Sequence, residues 1–127
     1  MGGRGAFSER GVLQWHDYKS IGTIDGVKVL SRTDGKEIHK LPEISKTPNT
    51  SYMRLRKDGS FRELRVYGDD REVKFELALH HEKRKGMWLH VHDSKSLKGN
   101  ERDKGRELTS EELKKYSRLL RKTGMKV

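Results

Sequence analysis

The sequence predicts an α+β domain: a four-stranded antiparallel meander over residues 51–92, packed on a C-terminal helix over residues 109–123 and preceded by a small β-rich segment. Three observations predict it. Apolar residues alternate with period two between Tyr52 and His92, glycine and aspartate pairs punctuate that stretch at regular intervals, and the last twenty residues switch to helical spacing.

Taken in order, the first ten residues (MGGRGAFSER) show no apolar periodicity and read as a flexible leader, leaving residues 11–127 as a single small domain. Residues 11–50 form the β-rich segment. Asp25-Gly26 and Asp34-Gly35 are turn signals, and short strands are expected around Ile21–Ile24, Val27–Ser31 and Glu37–His39. Both prolines, Pro42 and Pro48, lie in a connector before the meander, where a central strand could not hold them.

The meander itself is expected as Tyr52–Lys57, Phe61–Tyr67, Arg71–Leu79 and Met87–His92. In the third strand Val73, Phe75, Leu77 and Leu79 point one way, and Glu72, Lys74 and Glu76 the other. One face should therefore pack and the other stay open. Residues 93–108 carry only two apolar side chains, Leu97 and Leu108, and read as a long exposed loop. Thr109 with Glu112 three positions on is a capping box for the helix, whose apolar stripe is Leu113, Tyr116, Leu119 and Leu120 and whose stop is Gly124.

Composition bounds the function. The 127 residues hold 29 Lys+Arg against 19 Asp+Glu, a formal net charge of +10, and no cysteine. Thiol catalysis, disulfides and Cys-ligated metals are excluded, and a reducing, cytoplasmic setting is expected. No apolar run is long enough for a membrane span, so no membrane partner is expected. The basic excess points to a polyanion, RNA ahead of DNA, or to an acidic protein surface. It is unevenly placed: residues 1–50 carry +2, and residues 51–127 carry +8.

Four of the six histidines, His80, His81, His90 and His92, fall within thirteen residues. On a strand His90 and His92 share a face with Trp88, and two imidazoles that titrate near neutrality can supply the acid and the base for cleaving a phosphodiester through its 2′-hydroxyl. The catalytic candidates are His90, His92, His81 and Glu76. Arg54, Arg56 and Arg65 fall in phase on the open face to contact phosphate. Lys83, Arg84, Lys85, Lys115 and Arg118 add sequence-independent backbone contacts, and Trp88 offers a stacking surface, with Tyr52 and Tyr67 as aromatic neighbours. The same His-x-His spacing also suits a divalent metal, given a third ligand from His80, His81, Glu76 or Asp93, but the chosen reading uses no metal and no cofactor. Phosphate-binding loops, HExxH, nucleophile elbows and helix-turn-helix patterns are absent from the sequence.

The run from Tyr52 to Arg121, with LALHHEKRKGMWLHVHD and LTSEELKKYSRLLRKTG, resembles small proteins and minor-head-protein C-terminal segments encoded in phages and prophages of Gram-positive bacteria. The opening MGGRG is similar to starts among those proteins. His90 and His92 match the group's His-x-His strand, Leu108-Thr109 with Glu111 and Glu112 match its helix start, and His80 or His81 matches a preceding histidine. The chain departs in having Trp88-Leu89 where such sequences often have proline. The resemblance implies phage or prophage origin and action in the host cytoplasm. Some related segments look like toxin modules read as ribonucleases, so a toxin-type ribonuclease is one expectation. A non-enzymatic virion component or counter-defence inhibitor, binding an acidic protein or a host nuclease complex, is the alternative.

Overall fold

The computed structural model describes residues 15–84, 86–93 and 105–127. The leader, Lys85 and most of the expected 93–108 loop lie outside the described residues. Six strands form one sheet in chain order: β1 (Tyr18–Ile24), β2 (Val27–Arg32), β3 (Ser51–Leu55), β4 (Phe61–Tyr67), β5 (Val73–Glu82) and β6 (Gly86–Asp93), followed by helix α1 (Ser110–Lys122). The expected four-stranded antiparallel meander is thereby corrected to a six-stranded mixed sheet. Every neighbouring pair is antiparallel except β2 and β3, which run parallel through Lys28↔Tyr52 and Val29↔Met53.

Local chemistry accounts for the turns. Asp25 and Gly26 both take positive φ, 51° and 83°, as a two-residue hairpin of the primed type requires. The parallel pair demands a crossover, which the proline-bearing connector 33–50 supplies. Glu37–His39 is part of that connector and forms no strand.

One face of the sheet packs under α1. Val29, Met53, Phe61, Leu64, Leu77 and Val91 from the strands meet Leu119 and Leu120 from the helix, all buried. Tyr116 stacks on Phe75 with ring centroids 5.7 Å apart, whereas Leu113, the first residue of the expected stripe, stays 41% exposed. The capping box at Thr109 and Glu112 forms as read. At the other end Gly124 (φ +90°) closes a Schellman motif, with Met125 N–H donating to Leu120 O (3.0 Å) and Gly124 N–H to Arg121 O (3.2 Å). Arg118 and Lys122 lean on Asp25, tying the helix to the β1–β2 turn.

The second face is not open along its length. The connector lays Ile38 and Leu41 across it, and these pack with Leu30, Tyr52 and Tyr67 and, at the margin, Trp15, Tyr18 and Val73. Val73 thus faces away from Phe75, Leu77 and Leu79, because a register shift between Val66 and Tyr67 breaks the alternation there. Tyr52 and Tyr67, expected beside an open face, are buried in this second cluster, edge to face at 5.4 Å. Burial pushes the Tyr18 hydroxyl up to about 12 and the Tyr67 hydroxyl higher still. Beyond the connector, His80, His90 and His92 stand on the β5–β6 end of this face. Among the described residues no helix is long and apolar enough to cross a membrane.

Candidate functional site

The antiparallel register of the last hairpin sets Glu76 opposite His92, Ala78 opposite His90 and His80 opposite Trp88. Alternate residues of a strand share a face, so Trp88, His90 and His92 form a row on β6 beside Glu76 and His80 on β5. The row lies on the side away from α1. His90 is its centre. Trp88 stacks on His90 at 4.4 Å with planes 18° apart, His80 meets it edge-on at 4.4 Å, and His92 meets it edge-on at 4.7 Å.

The hydrogen bonds fix the tautomers. His90 Nδ1 is 3.2 Å from the Trp88 carbonyl oxygen, which can only accept, so Nδ1 carries the proton and Nε2 is bare. That bare Nε2 is 3.0 Å from His92 Nε2, which must therefore be the donor. With Nε2 committed to His90, Nδ1 is the second ring nitrogen of His92. His90 has 0% exposure, and burial drives its pKa down to about 4 against the opposing bond to Trp88, with the charges of His80, His92 and Arg62 lowering it further. It is neutral at physiological pH. Burial, then the Arg62 charge, also lowers His80.

A backbone strap roofs the pair. Gly105 (φ +85°) passes so close that a Cβ there would lie 2.5 Å from His90 Cδ2 and 3.2 Å from His92 Cε1, so only glycine fits. Its neighbour Arg106 exchanges two backbone hydrogen bonds with Val91, at 2.8 and 2.9 Å, between the two histidines. The Arg106 guanidinium then grips Asp93 (2.8 and 3.1 Å) and Glu112 (2.8 and 2.8 Å) with one fork each, joining strap, β6 and the start of α1. The Arg106 contact, followed by the capping bond from Thr109, holds the Glu112 carboxyl down at about 2, and the Arg106 contact holds Asp93 below its ordinary value.

Beside the imidazoles runs a buried ion ladder. Arg54 Nε donates to Glu63 (2.9 Å) and its Nη1 to Ile38 O (2.7 Å); Arg65 Nε donates to Glu76 (2.7 Å) and its Nη1 to Leu41 O and Pro42 O (3.1 and 3.2 Å). Burial, reinforced by Glu63, pushes the Glu76 carboxyl up in spite of Arg65.

Several expected site residues are consequently corrected. Arg54 and Arg65 are buried, and their guanidinium groups are engaged by carboxylates and by the crossover's carbonyls, so they hold the connector onto the sheet rather than meet phosphate. Glu76 is buried under Arg65. His90 is sealed and cannot touch a substrate; it acts on His92. His81 pairs with exposed Met87 on the other side of the hairpin, one residue out of phase with His80. Lys83 and Arg84 are exposed at the β5–β6 turn, and Lys85 lies outside the described residues. Lys115 and Arg118 belong to α1, across the sheet from the imidazoles, so the basic helix and the histidines do not share a face. Arg56 is the arginine of the expected set that remains near the site with exposure.

Arg62 was not expected. A β-bulge pairs Leu55 with Phe61 and Arg54 with Glu63, leaving Arg62 the extra residue of β4. Strict alternation places it on the packed face, yet Nη1 donates to Leu79 O at 2.7 Å, next to His80. Only the bulge re-aims it. Among the described residues no group of three or more His, Asp or Glu is disposed to hold a metal ion. No protein-family model, no curated protein and no solved structure matches the chain.

Proposed function

We propose that the protein is a basic RNA-binding protein that cleaves RNA without a metal, using His80 and His92 as the proton-exchanging pair and His90 as the group that orients His92. The observation that carries the reading is the His90–His92 hydrogen bond with His80 packed against it. Neutral His80 takes the proton of a 2′-hydroxyl, the freed oxygen attacks phosphorus, and His92, entering the cycle as the imidazolium with a second proton on Nδ1, delivers that proton to the departing 5′-oxygen as the P–O bond breaks. A 2′,3′-cyclic phosphate and a 5′-hydroxyl result. The +10 chain supplies the non-specific attraction for the backbone, and half-buried Trp88 supplies an aromatic neighbour for a base. A phage or prophage source, as the resemblance implies, belongs to the same proposal.

The test is an end-labelled RNA incubated with the protein in the presence of a chelator. The expected outcome is cleavage that leaves cyclic phosphate ends and stops at a 2′-deoxy substitution. His80→Ala and His92→Ala should each slow it by roughly 10²–10⁴-fold, the usual contribution of a positioned acid or base. No cleavage by the parent protein removes the enzyme. Salt-sensitive RNA binding that persists without cleavage would leave a binding protein only.

A further inference from the structure

The β4–β5 ladder ends at Glu63↔Ala78, so the next carbonyl, Leu79 O, has no strand partner on that side. Two guanidiniums take it instead: Arg62 Nη1 at 2.7 Å and Arg56 Nη2 at 3.2 Å. Two cations therefore converge on one oxygen, next to His80 in the chain. Among the described residues no carboxylate lies within ion-pairing distance of either. Glu63 is committed to Arg54 and Glu76 to Arg65, Asp58 in the adjoining turn is bonded to Ser60, and Glu82, in phase with His80 on β5, acts by its charge on His80 and forms no ion pair with either arginine. Both arginines are half-buried, which weakens their hydration while leaving them reachable.

We infer that Arg56 and Arg62 form a phosphate subsite beside His80, built to take one phosphate group of a nucleic-acid backbone. A guanidinium offers five N–H donors in a planar fork that matches phosphate oxygens, and among the described residues each of these two gives one side-chain hydrogen bond, to Leu79 O, leaving other N–H groups of the fork for a ligand. An anion held by both relieves their mutual repulsion, which a single exposed arginine could not exploit. The bulge at Arg62 is the structural device that brings the second fork to the first. The choice of a nucleic-acid phosphate rests on the RNA reading above; the anion site itself does not.

The experiment follows the arginine Nε–H resonances of the full chain by NMR while inorganic phosphate, and separately a 2′-deoxy dinucleotide that cannot be cleaved, is titrated in at constant ionic strength. Saturable shifts at Arg56 and Arg62 are expected with both ligands, and not with chloride. Arg62→Ala and Arg56→Ala should each weaken binding about tenfold, the scale of one lost charge-assisted contact, with Arg62→Lys intermediate. Parent spectra without saturable shifts at these two arginines overturn the subsite, as does undiminished binding in the folded double alanine variant. Shifts with phosphate but not with the dinucleotide overturn the nucleic-acid assignment. A parent that binds both ligands here but cleaves no RNA keeps the subsite while the enzyme reading fails.

Discussion

His90 and His92 share a hydrogen bond between their Nε2 atoms, 3.0 Å apart, in which His90 is the acceptor because its Nδ1 proton is committed to the Trp88 carbonyl. One imidazole thus sets the tautomer of the other. The arrangement needs His90 to stay neutral, and burial ensures that.

This neutrality makes stability depend on pH. His90 titrates at about 4 when folded against 6.5 as the ordinary value, so between those limits the unfolded chain binds a proton that the folded one refuses. The contribution of this group is full above pH 6.5 and is lost as pH drops towards 4, by about 3 kcal/mol. Urea unfolding at pH 7, 5.5 and 4.5 should show the decline, and His90→Gln should flatten it. An unchanged slope in the variant would assign the decline to other groups.

Gly105→Ala should disturb the pair directly. A methyl 2.5 Å from His90 Cδ2, at φ +85°, cannot be accommodated without moving the strap off the rings. A loss of about 1–3 kcal/mol is expected by denaturant unfolding, the range for strain at such a backbone position. His90 should then titrate nearer its ordinary value when followed by NMR.

Arg106→Lys keeps the charge and loses both forks. The bonds to Asp93 and Glu112 are partly exposed, so roughly 1 kcal/mol is expected from thermal unfolding rather than the larger figure of a buried pair. The difference from the parent should shrink at high salt.

Arg65→Leu should be far more damaging, since it leaves Glu76 buried without its partner. About 3–5 kcal/mol is the usual scale for such a removal. The double replacement Arg65→Leu, Glu76→Leu should recover much of that in urea unfolding. If the double variant is no better than the single, the bonds from Arg65 to Leu41 O and Pro42 O dominate, and the crossover rather than the ion pair is what Arg65 secures.

Period-two alternation on β6 was enough to put Trp88, His90 and His92 on one face, because side-chain direction on a regular strand follows from local backbone geometry alone. The capping box at Thr109 and the stop at Gly124 were legible for the same reason, each depending on contacts within a few residues. Tertiary structure decided the rest. The parallel β2–β3 pair joins segments separated by the whole connector, and nothing local records which strands will meet. The connector's own position turned Arg54 and Arg65 from apparent phosphate ligands into buried ties, because their partners Ile38 O, Leu41 O and Pro42 O come from residues far along the chain. The strap at Gly105 sealed His90 in the same long-range manner. Finally, one extra residue at Arg62 reversed a face that alternation assigns, since a bulge is set by how two strands pair rather than by either strand alone.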